Sequence, residues 1–345
     1  MHDEHGGDLA VHPGIQLDFS VSLNPLGPPS AVIEAITMSS DAIPMYPDPY
    51  CRELRKALAG HHQVSADTIV CGNGSSDLIY RICNLLAPSQ VLVTAPTFSE
   101  YERCAVLCGA QITRHLLDAH NTFDLDETFL DAMTDEIDLI FCCQPNNPTG
   151  RLVERSLLTR MISRAEGINA VLVIDECFLP FTGAESMIPA ATQHPNLVIV
   201  QAFTKTYSMA GIRLGYAVTE DPHLASSLMN CGPRWNVSSL AQRAGLAALR
   251  VSGWEEATRA FVHEERCWIQ RQLVDLGFEV IPSSANFVLF RTSLDIYTPL
   301  YQRGILIRSC QNFPGLDGTY WRIGLRSHRD NCILIDALRQ VVRNG

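Results

Sequence analysis

Phe203-Thr204-Lys205-Thr206-Tyr207-Ser208-Met209-Ala210-Gly211-Ile212-Arg213-Leu214-Gly215-Tyr216 follows an apolar run, Leu197 to Ala202, that reads as a buried strand. The stretch puts Lys205 just past the strand and Arg213 eight residues later, in a glycine-punctuated turn. Thirty residues upstream of the lysine, a second apolar run, Val171 to Ile174, ends in Asp175. Open α/β sheets bind ligands beyond the carboxyl ends of their strands. A lysine that forms an imine, an acid that pairs with a ring nitrogen and an arginine that grips a phosphate are what pyridoxal phosphate needs from a protein. Taken singly, the lysine reads as a solvated surface group and the aspartate as a helix cap. Their spacing relative to the two strands favours the cofactor reading.

Working outward, short apolar runs alternate with helical patterns. Strands are expected at Thr68–Cys71, Val91–Ala95, Leu139–Cys143, Val171–Ile174, Leu197–Gln201 and Leu214–Val218. Helices are expected at Tyr50–His61, Ser76–Leu86, Glu154–Ala165 and Pro222–Asn230. Continuous apolar strands separated by helices predict a mostly parallel sheet covered on both faces. After Val237 the pattern changes. A long helical stretch runs to about Leu276, broken near Gly253, and strands follow near Glu279–Ile281, Asn286–Phe290, Ile305–Arg308 and Tyr320–Gly324. An amphipathic helix, Asp330–Arg343, closes the chain. The expected fold class is α/β, with a large domain over residues 31–235 and a smaller α+β domain over residues 236–345. Residues 1–30, rich in Gly, Pro and polar groups, form an arm expected to pack on the small domain and the active site.

With 345 residues, 46% of them hydrophobic, the chain can bury a large core. A formal net charge of −11 without a dense Lys/Arg block argues against a nucleic-acid partner. Met1-His2-Asp3-Glu4-His5 is polar and acidic, unlike a secretory signal. No run of 18 apolar residues predicts a membrane helix, so a cytoplasmic location is expected. The twelve cysteines form no C-x-x-C pair and read as buried reduced thiols, with no metal site expected.

Three further motifs complete the cofactor reading. Cys71-Gly72-Asn73-Gly74-Ser75-Ser76-Asp77 joins a strand to a helix. Its glycines let the backbone approach an anion, and the helix start supplies free N–H groups. Gly74, Ser75 and Ser76 are read as a phosphate cup, with Arg213 as ionic partner. Pro145-Asn146-Asn147-Pro148-Thr149-Gly150 would alone be a turn signal; here it places Asn147 to donate to the cofactor's phenolic oxygen. In Ala95-Pro96-Thr97-Phe98-Ser99-Glu100-Tyr101, Phe98 is the aromatic expected on the ring face, the other reading being a core phenylalanine.

These motifs resemble the aspartate-aminotransferase fold family of pyridoxal-phosphate enzymes, fold type I, over nearly the whole chain. Within it the chain looks most like the threonine-phosphate decarboxylases, relatives of the histidinol-phosphate aminotransferases. The likeness is carried by His5-Gly6-Gly7-Asp8, Leu17-Asp18-Phe19-Ser20, Leu23-Asn24-Pro25-Leu26-Gly27, Tyr46-Pro47-Asp48 and the segments 305–310 and 312–317. It implies that Arg322 holds a substrate α-carboxylate, that Arg308 and His5 hold a substrate phosphate, and that Gly6 and Ser22 lie against the substrate. It further implies a homodimer in which Tyr46 reaches the cofactor phosphate of the partner subunit. Arg326 is read as structural. The implied activity is decarboxylation of O-phospho-L-threonine to (R)-1-amino-2-propanol O-phosphate in cobalamin biosynthesis. O-phosphoserine decarboxylation and histidinol-phosphate aminotransfer are the alternatives. A catalytically silent relative of the same fold would lack Lys205 or Asp175.

The chain departs from the family pattern at three places. Ala202 replaces a serine three residues before the lysine, which leaves Thr204 or a water to supply that phosphate contact. Ser20-Val21-Ser22 stands where relatives read Ser-Ala-Asn, so a substrate contact is shortened or passes through water. Cys177 replaces an alanine after Asp175-Glu176, a packing change.

Overall fold

The computed structural model describes residues 6–344, so His5 lies outside the described residues. Its main element is a seven-stranded sheet. The strand order is Ile69–Gly72, Gly215–Thr219, Leu197–Ala202, Val171–Asp175, Leu139–Cys143, Gln90–Ala95 and Gln111–Leu116. Every pairing is parallel except those of Gly215–Thr219, which runs antiparallel to both neighbours. Residues 203–214 turn back directly after Leu197–Ala202, and strands joined by so short a return run antiparallel.

Alternation along the strands divides the core in two. Leu92, Ile140, Leu172 and Ile199 enter one apolar layer, while Val93, Phe141, Val173 and Val200 enter the other. The edge strand Gln111–Leu116 and the helices Ser30–Thr37 and Glu100–Leu107 were not expected from the sequence. The edge strand is polar and half-exposed, Gln-Ile-Thr-Arg-His-Leu, because it has a neighbour on one side alone. That erases the continuous apolar signal.

A second, four-stranded antiparallel sheet has the order Arg308–Ser309, Tyr320–Gly324, Phe287–Arg291 and Glu279–Val280. It packs with the long helix Trp254–Asp275 around Phe287, Phe290 and Ile323. The helix Ser239–Leu249, which follows the expected boundary at 235, sides with the large sheet instead. Its Ala241, Ala244 and Ala248 join Leu54 and Leu58 in one core, and a Cβ at Gly245 would stand 2.6 Å from Leu214. The chain changes layers at Gly253, whose φ of +72° starts the long helix.

The N-terminal arm stitches the two sheets together. Leu17–Asp18 pairs in parallel with Ile305–Leu306. Phe19 O accepts from the Gly324 N–H at 2.8 Å, and the Asn24 N–H donates to Lys205 O at 3.1 Å. Asn24 Nδ2 donates to Thr206 O at 2.7 Å and to Thr258 Oγ1 at 2.9 Å. Among the described residues no helix is long and apolar enough to cross a membrane. The twelve cysteines are unpaired, and most are buried.

Candidate active site

Chain order reverses between Gln90–Ala95 and Leu139–Cys143. From the first strand the chain runs outward to the edge strand Gln111–Leu116, then returns to pair on the other side. Loops leaving strands at such a switch point diverge and open a crevice. A cleft of about 420 Å³ lies there, between the strand ends of the large sheet, the N-terminal arm and the small sheet. Phe98 and Asn147 enter it from the two diverging loops, Asp175 and Lys205 from the next two strands.

Lys205 sits in the one-turn helix Phe203–Thr206, its Nζ 5.5 Å from the ring centre of Phe178. Burial, reinforced by the guanidiniums of Arg322 and Arg213, pulls its ammonium down to about 8. A sizeable uncharged fraction near neutral pH is what a nucleophilic amine requires. Asp175 is buried at its strand end, and burial lifts its carboxyl above the usual range. Two donors work against that lift: the Tyr101 hydroxyl at 2.8 Å and the Cys177 N–H at 2.9 Å. Tyr101, stacked on Phe141, is itself pushed well up by burial and by Asp175, so it keeps its proton and donates.

The helix Ser75–Leu86 starts at the cleft floor with Gly74 as its cap, at φ +86°. A Cβ at Gly74 would stand 2.8 Å from Arg213 Nη2, so the glycine is what allows the guanidinium to lie against the helix start. Gly215 has the same function from the other side: a Cβ there would stand 2.9 Å from Gly74 C and Ser75 N. The first N–H groups of that helix have no intrahelical partner and carry the positive end of its dipole. Asp77 braces the loop by accepting from Asn73 N at 2.9 Å and Asn236 Nδ2 at 2.7 Å.

The opposite wall carries two buried arginines. Arg308 and Arg322 stand directly across from each other on adjacent strands. Like charges so placed repel, which leaves the wall short of negative charge. Arg322 Nη2 donates to Ser20 O at 2.8 Å and Nη1 to Asn147 Oδ1, which turns the Asn147 Nδ2 donor the other way. Burial, with Arg308 nearby, pulls Arg322 down to about 10. Arg308 Nη2 donates to Asn312 Oδ1 at 3.0 Å. The Ser22 hydroxyl and Arg322 Nε are buried with no hydrogen-bond partner among the described residues. Buried unpaired polar atoms on a cleft wall are what a bound polar ligand would satisfy.

Of the residues singled out from the sequence, Gly6, Ser22, Ser75, Ser76, Phe98, Asn147, Asp175, Lys205, Arg213, Arg308 and Arg322 meet in this one cleft. Gly74 lies behind its floor, and Thr204 is buried without lining it. Tyr46 is 83% exposed and lies against Trp235, ring centres 5.0 Å apart and planes tilted by 36°, away from this cleft. Arg326 donates to Asp18 O at 3.1 Å and pairs with Asp330, in keeping with a structural part. Tyr101, the Ser20 carbonyl, Phe178, Glu100 and Arg103 belong to the cleft and were missed. Tyr101 meets Asp175 across 74 residues of chain, a separation that leaves no local spacing to read.

The residues present fit pyridoxal 5′-phosphate. The cleft offers a lysine of lowered proton affinity, a buried carboxylate, an amide donor and a helix start with a guanidinium against it. Residues 14–338 match the aminotransferase class I and II family. The chain is 37% identical to the threonine-phosphate decarboxylase of Salmonella typhimurium, over 99% of this chain and 97% of that one. It is 33% identical to the histidinol-phosphate aminotransferase of Symbiobacterium thermophilum, over 98% and 93%. The crystal structure of the histidinol-phosphate aminotransferase from Clostridium acetobutylicum superposes with a TM-score of 0.89 at 29% identity, covering 95% of this chain and all of that one. Lys205, Asp175, Asn147 and Arg213 line one cleft, and the chain belongs to the aminotransferase class I and II family.

Proposed function

We propose that this protein is a cytoplasmic, homodimeric pyridoxal-phosphate enzyme. Its reaction is decarboxylation of O-phospho-L-threonine to (R)-1-amino-2-propanol O-phosphate, a step of cobalamin biosynthesis. The observation that carries the reading is the pair of buried guanidiniums, Arg308 and Arg322, facing each other across from Lys205 and Asp175. A substrate with a carboxylate at one end and a phosphate at the other matches two such forks. The relative at 37% identity over almost the whole chain, a threonine-phosphate decarboxylase, supports the same choice.

In this reading Lys205 Nζ would hold the cofactor aldehyde and Asp175 would pair with its ring nitrogen. Asn147 donates to the phenolic oxygen, and Phe98 covers the ring. Gly74, Ser75, Ser76 and Arg213 take the phosphate, with Thr204 nearby and Tyr46 of a second copy reaching in. When bound, the cofactor supplies an electron sink for negative charge released at the substrate Cα. Arg322 would take the α-carboxylate and Arg308 and His5 the phosphate, with Gly6 and Ser22 against the substrate. Fixing both ends of the substrate would select which Cα bond breaks, and decarboxylation needs that to be the bond to the carboxylate. Arg322 already donates to Asn147 and Ser20. That limits its stabilisation of a ground-state charge that the reaction disperses. Lys205 Nζ, or a water, would give Cα the proton that takes the place of the carboxylate lost as carbon dioxide.

The test is a product assay of the loaded enzyme with O-phospho-L-threonine and no keto acid. Carbon dioxide and aminopropanol phosphate, formed over many turnovers, are expected. Amino transfer from histidinol phosphate to 2-oxoglutarate, without release of carbon dioxide from phosphothreonine, would replace the decarboxylase with an aminotransferase.

A further inference from the structure

Strand alternation turns Glu176 away from the cleft that its neighbour Asp175 lines. Glu176 is buried among donors. Its Oε1 accepts from the Met187 N–H at 2.7 Å, and its Oε2 accepts from the Ser186 hydroxyl at 2.5 Å and from Gln201 Nε2 at 2.9 Å. Gln201 Oε1 in turn accepts from the Tyr216 hydroxyl at 2.6 Å, and the Tyr216 oxygen lies 2.7 Å from His62 Nε2. Tyr216 has one proton and gives it to Gln201, so the proton of the last contact sits on His62 Nε2. Burial, with His61 beside it, keeps His62 neutral, down to about 3. The chain therefore donates one way, from His62 through Tyr216 and Gln201 to Glu176. Ser186 Oγ already accepts from the Ile188 N–H at 3.0 Å, so it too presents its proton to the carboxylate.

Three strand ends share these links, and each delivers a residue to the cleft. Glu176 directly follows Asp175, Gln201 lies four residues before Lys205, and Tyr216 lies three after Arg213. Gln201 and Tyr216 are partners in the strand register, and the Glu176 N–H donates to Val200 O at 2.8 Å. Other titratable groups face the chain. Cys142 and Asp175 lie beside Glu176, while Tyr207, Glu255 and Cys177 lie around Tyr216. Burial pushes Cys142, Cys177, Tyr207 and Tyr216 up, so these four stay neutral at working pH. Burial lifts the Glu176 carboxyl as well, and the Met187, Ser186 and Gln201 donors work against that lift.

We propose that Glu176 is a positioning residue for the cofactor site. It is an ionised carboxylate held by a one-way hydrogen-bond chain from His62. It fixes the strand ends that bear Asp175, Lys205 and Arg213, and it adds negative potential behind Asp175. The proposal rests on pyridoxal phosphate being held by Asp175 and Lys205, and not on which substrate is used.

The first measurement is nitrogen NMR of the imidazoles in the cofactor-free protein, with His62 assigned by its loss in His62→Asn. In the wild type, His62 carries its proton on Nε2 and does not titrate between about pH 6 and 8. Glu176→Gln exchanges an acceptor for a donor, so every link reverses and the His62 proton moves to Nδ1. A wild-type proton on Nδ1, or one that stays on Nε2 in both proteins, overturns the proposal. The second measurement is the pH at which the absorbance of bound pyridoxal phosphate changes. Removing a nearby anion destabilises cations, so Glu176→Gln shifts this transition to lower pH by roughly 0.5–1 unit. Tyr216→Phe cuts the chain but keeps the charge, and leaves the transition within about 0.2 unit. Lost stability with an unshifted transition in Glu176→Gln would make the residue merely structural and also overturns the proposal. A wild type that shows no cofactor absorbance would sink the cofactor reading itself, while the histidine result stands apart from it.

Discussion

Two guanidiniums and an apolar wall act on the ammonium of Lys205, and the sign of their combined effect can be tested without any ligand. The folded group titrates near 8, against 10.5 for a free lysine. Between those values the unfolded chain binds more protons than the folded one, so stability rises with pH across that window. Below about 8 the cost of the buried charge is present in full. Lys205→Met in the cofactor-free protein is therefore expected to be more stable than the wild type at pH 7, by on the order of 1–3 kcal/mol. The gain should shrink to nothing as pH approaches 10.5. Urea unfolding at a series of pH values measures it; a difference that does not vary with pH would mean that the amine carries no burial cost. Lys205 and Asp175 were legible in the sequence because each ends an apolar strand. Tyr101 and the Ser20 carbonyl, which hold Asp175 and Arg322, were not, because their partners come from distant segments.

The proposed phosphate cup is built by the strand Gly215–Thr219 as much as by the helix it faces. Gly215 pairs with Gly72 on one side and with Ala202 on the other. A methyl group there meets backbone on every side: Gly74 C and Ser75 N at 2.9 Å and Gln201 O at 3.0 Å. None of these can rotate away, so overpacking costs about 1–3 kcal/mol and pushes the helix start out of line. Gly215→Ala should thus keep its overall fold by circular dichroism and yet lose pyridoxal phosphate on dialysis at least about tenfold faster than the wild type. Equal retention would show that the cup tolerates displacement. The sequence placed this glycine inside the expected strand Leu214–Val218. Its close approach to Gly74 appears only when strand and helix are placed side by side.

In the proposed homodimer, Tyr46 would connect the site to the assembly. It is 83% exposed, close to other exposed apolar residues in sequence, Ile43 and Met45, and its ring lies tilted against Trp235. If a second copy uses this tyrosine, Tyr46→Ala and Lys205→Met are each inactive as homodimers. Mixed dimers regain about half of one dimer's activity, because one site then has both residues intact. No recovery on mixing and refolding would mean that Tyr46 acts within its own chain or not at all. By itself the sequence determined the alternation of buried strands and helices, the cofactor groups at the strand ends and the switch to a second layer late in the chain. These are local properties of periodicity and of strand termination. Tertiary structure alone decided the antiparallel strand after Arg213, the transfer of Ser239–Leu249 to the large core, and the facing of Arg308 on Arg322. It also decided the one-way chain from His62 to Glu176. Each of these depends on groups far apart in the chain meeting in space, and register and packing across such distances leave no period in a linear sequence.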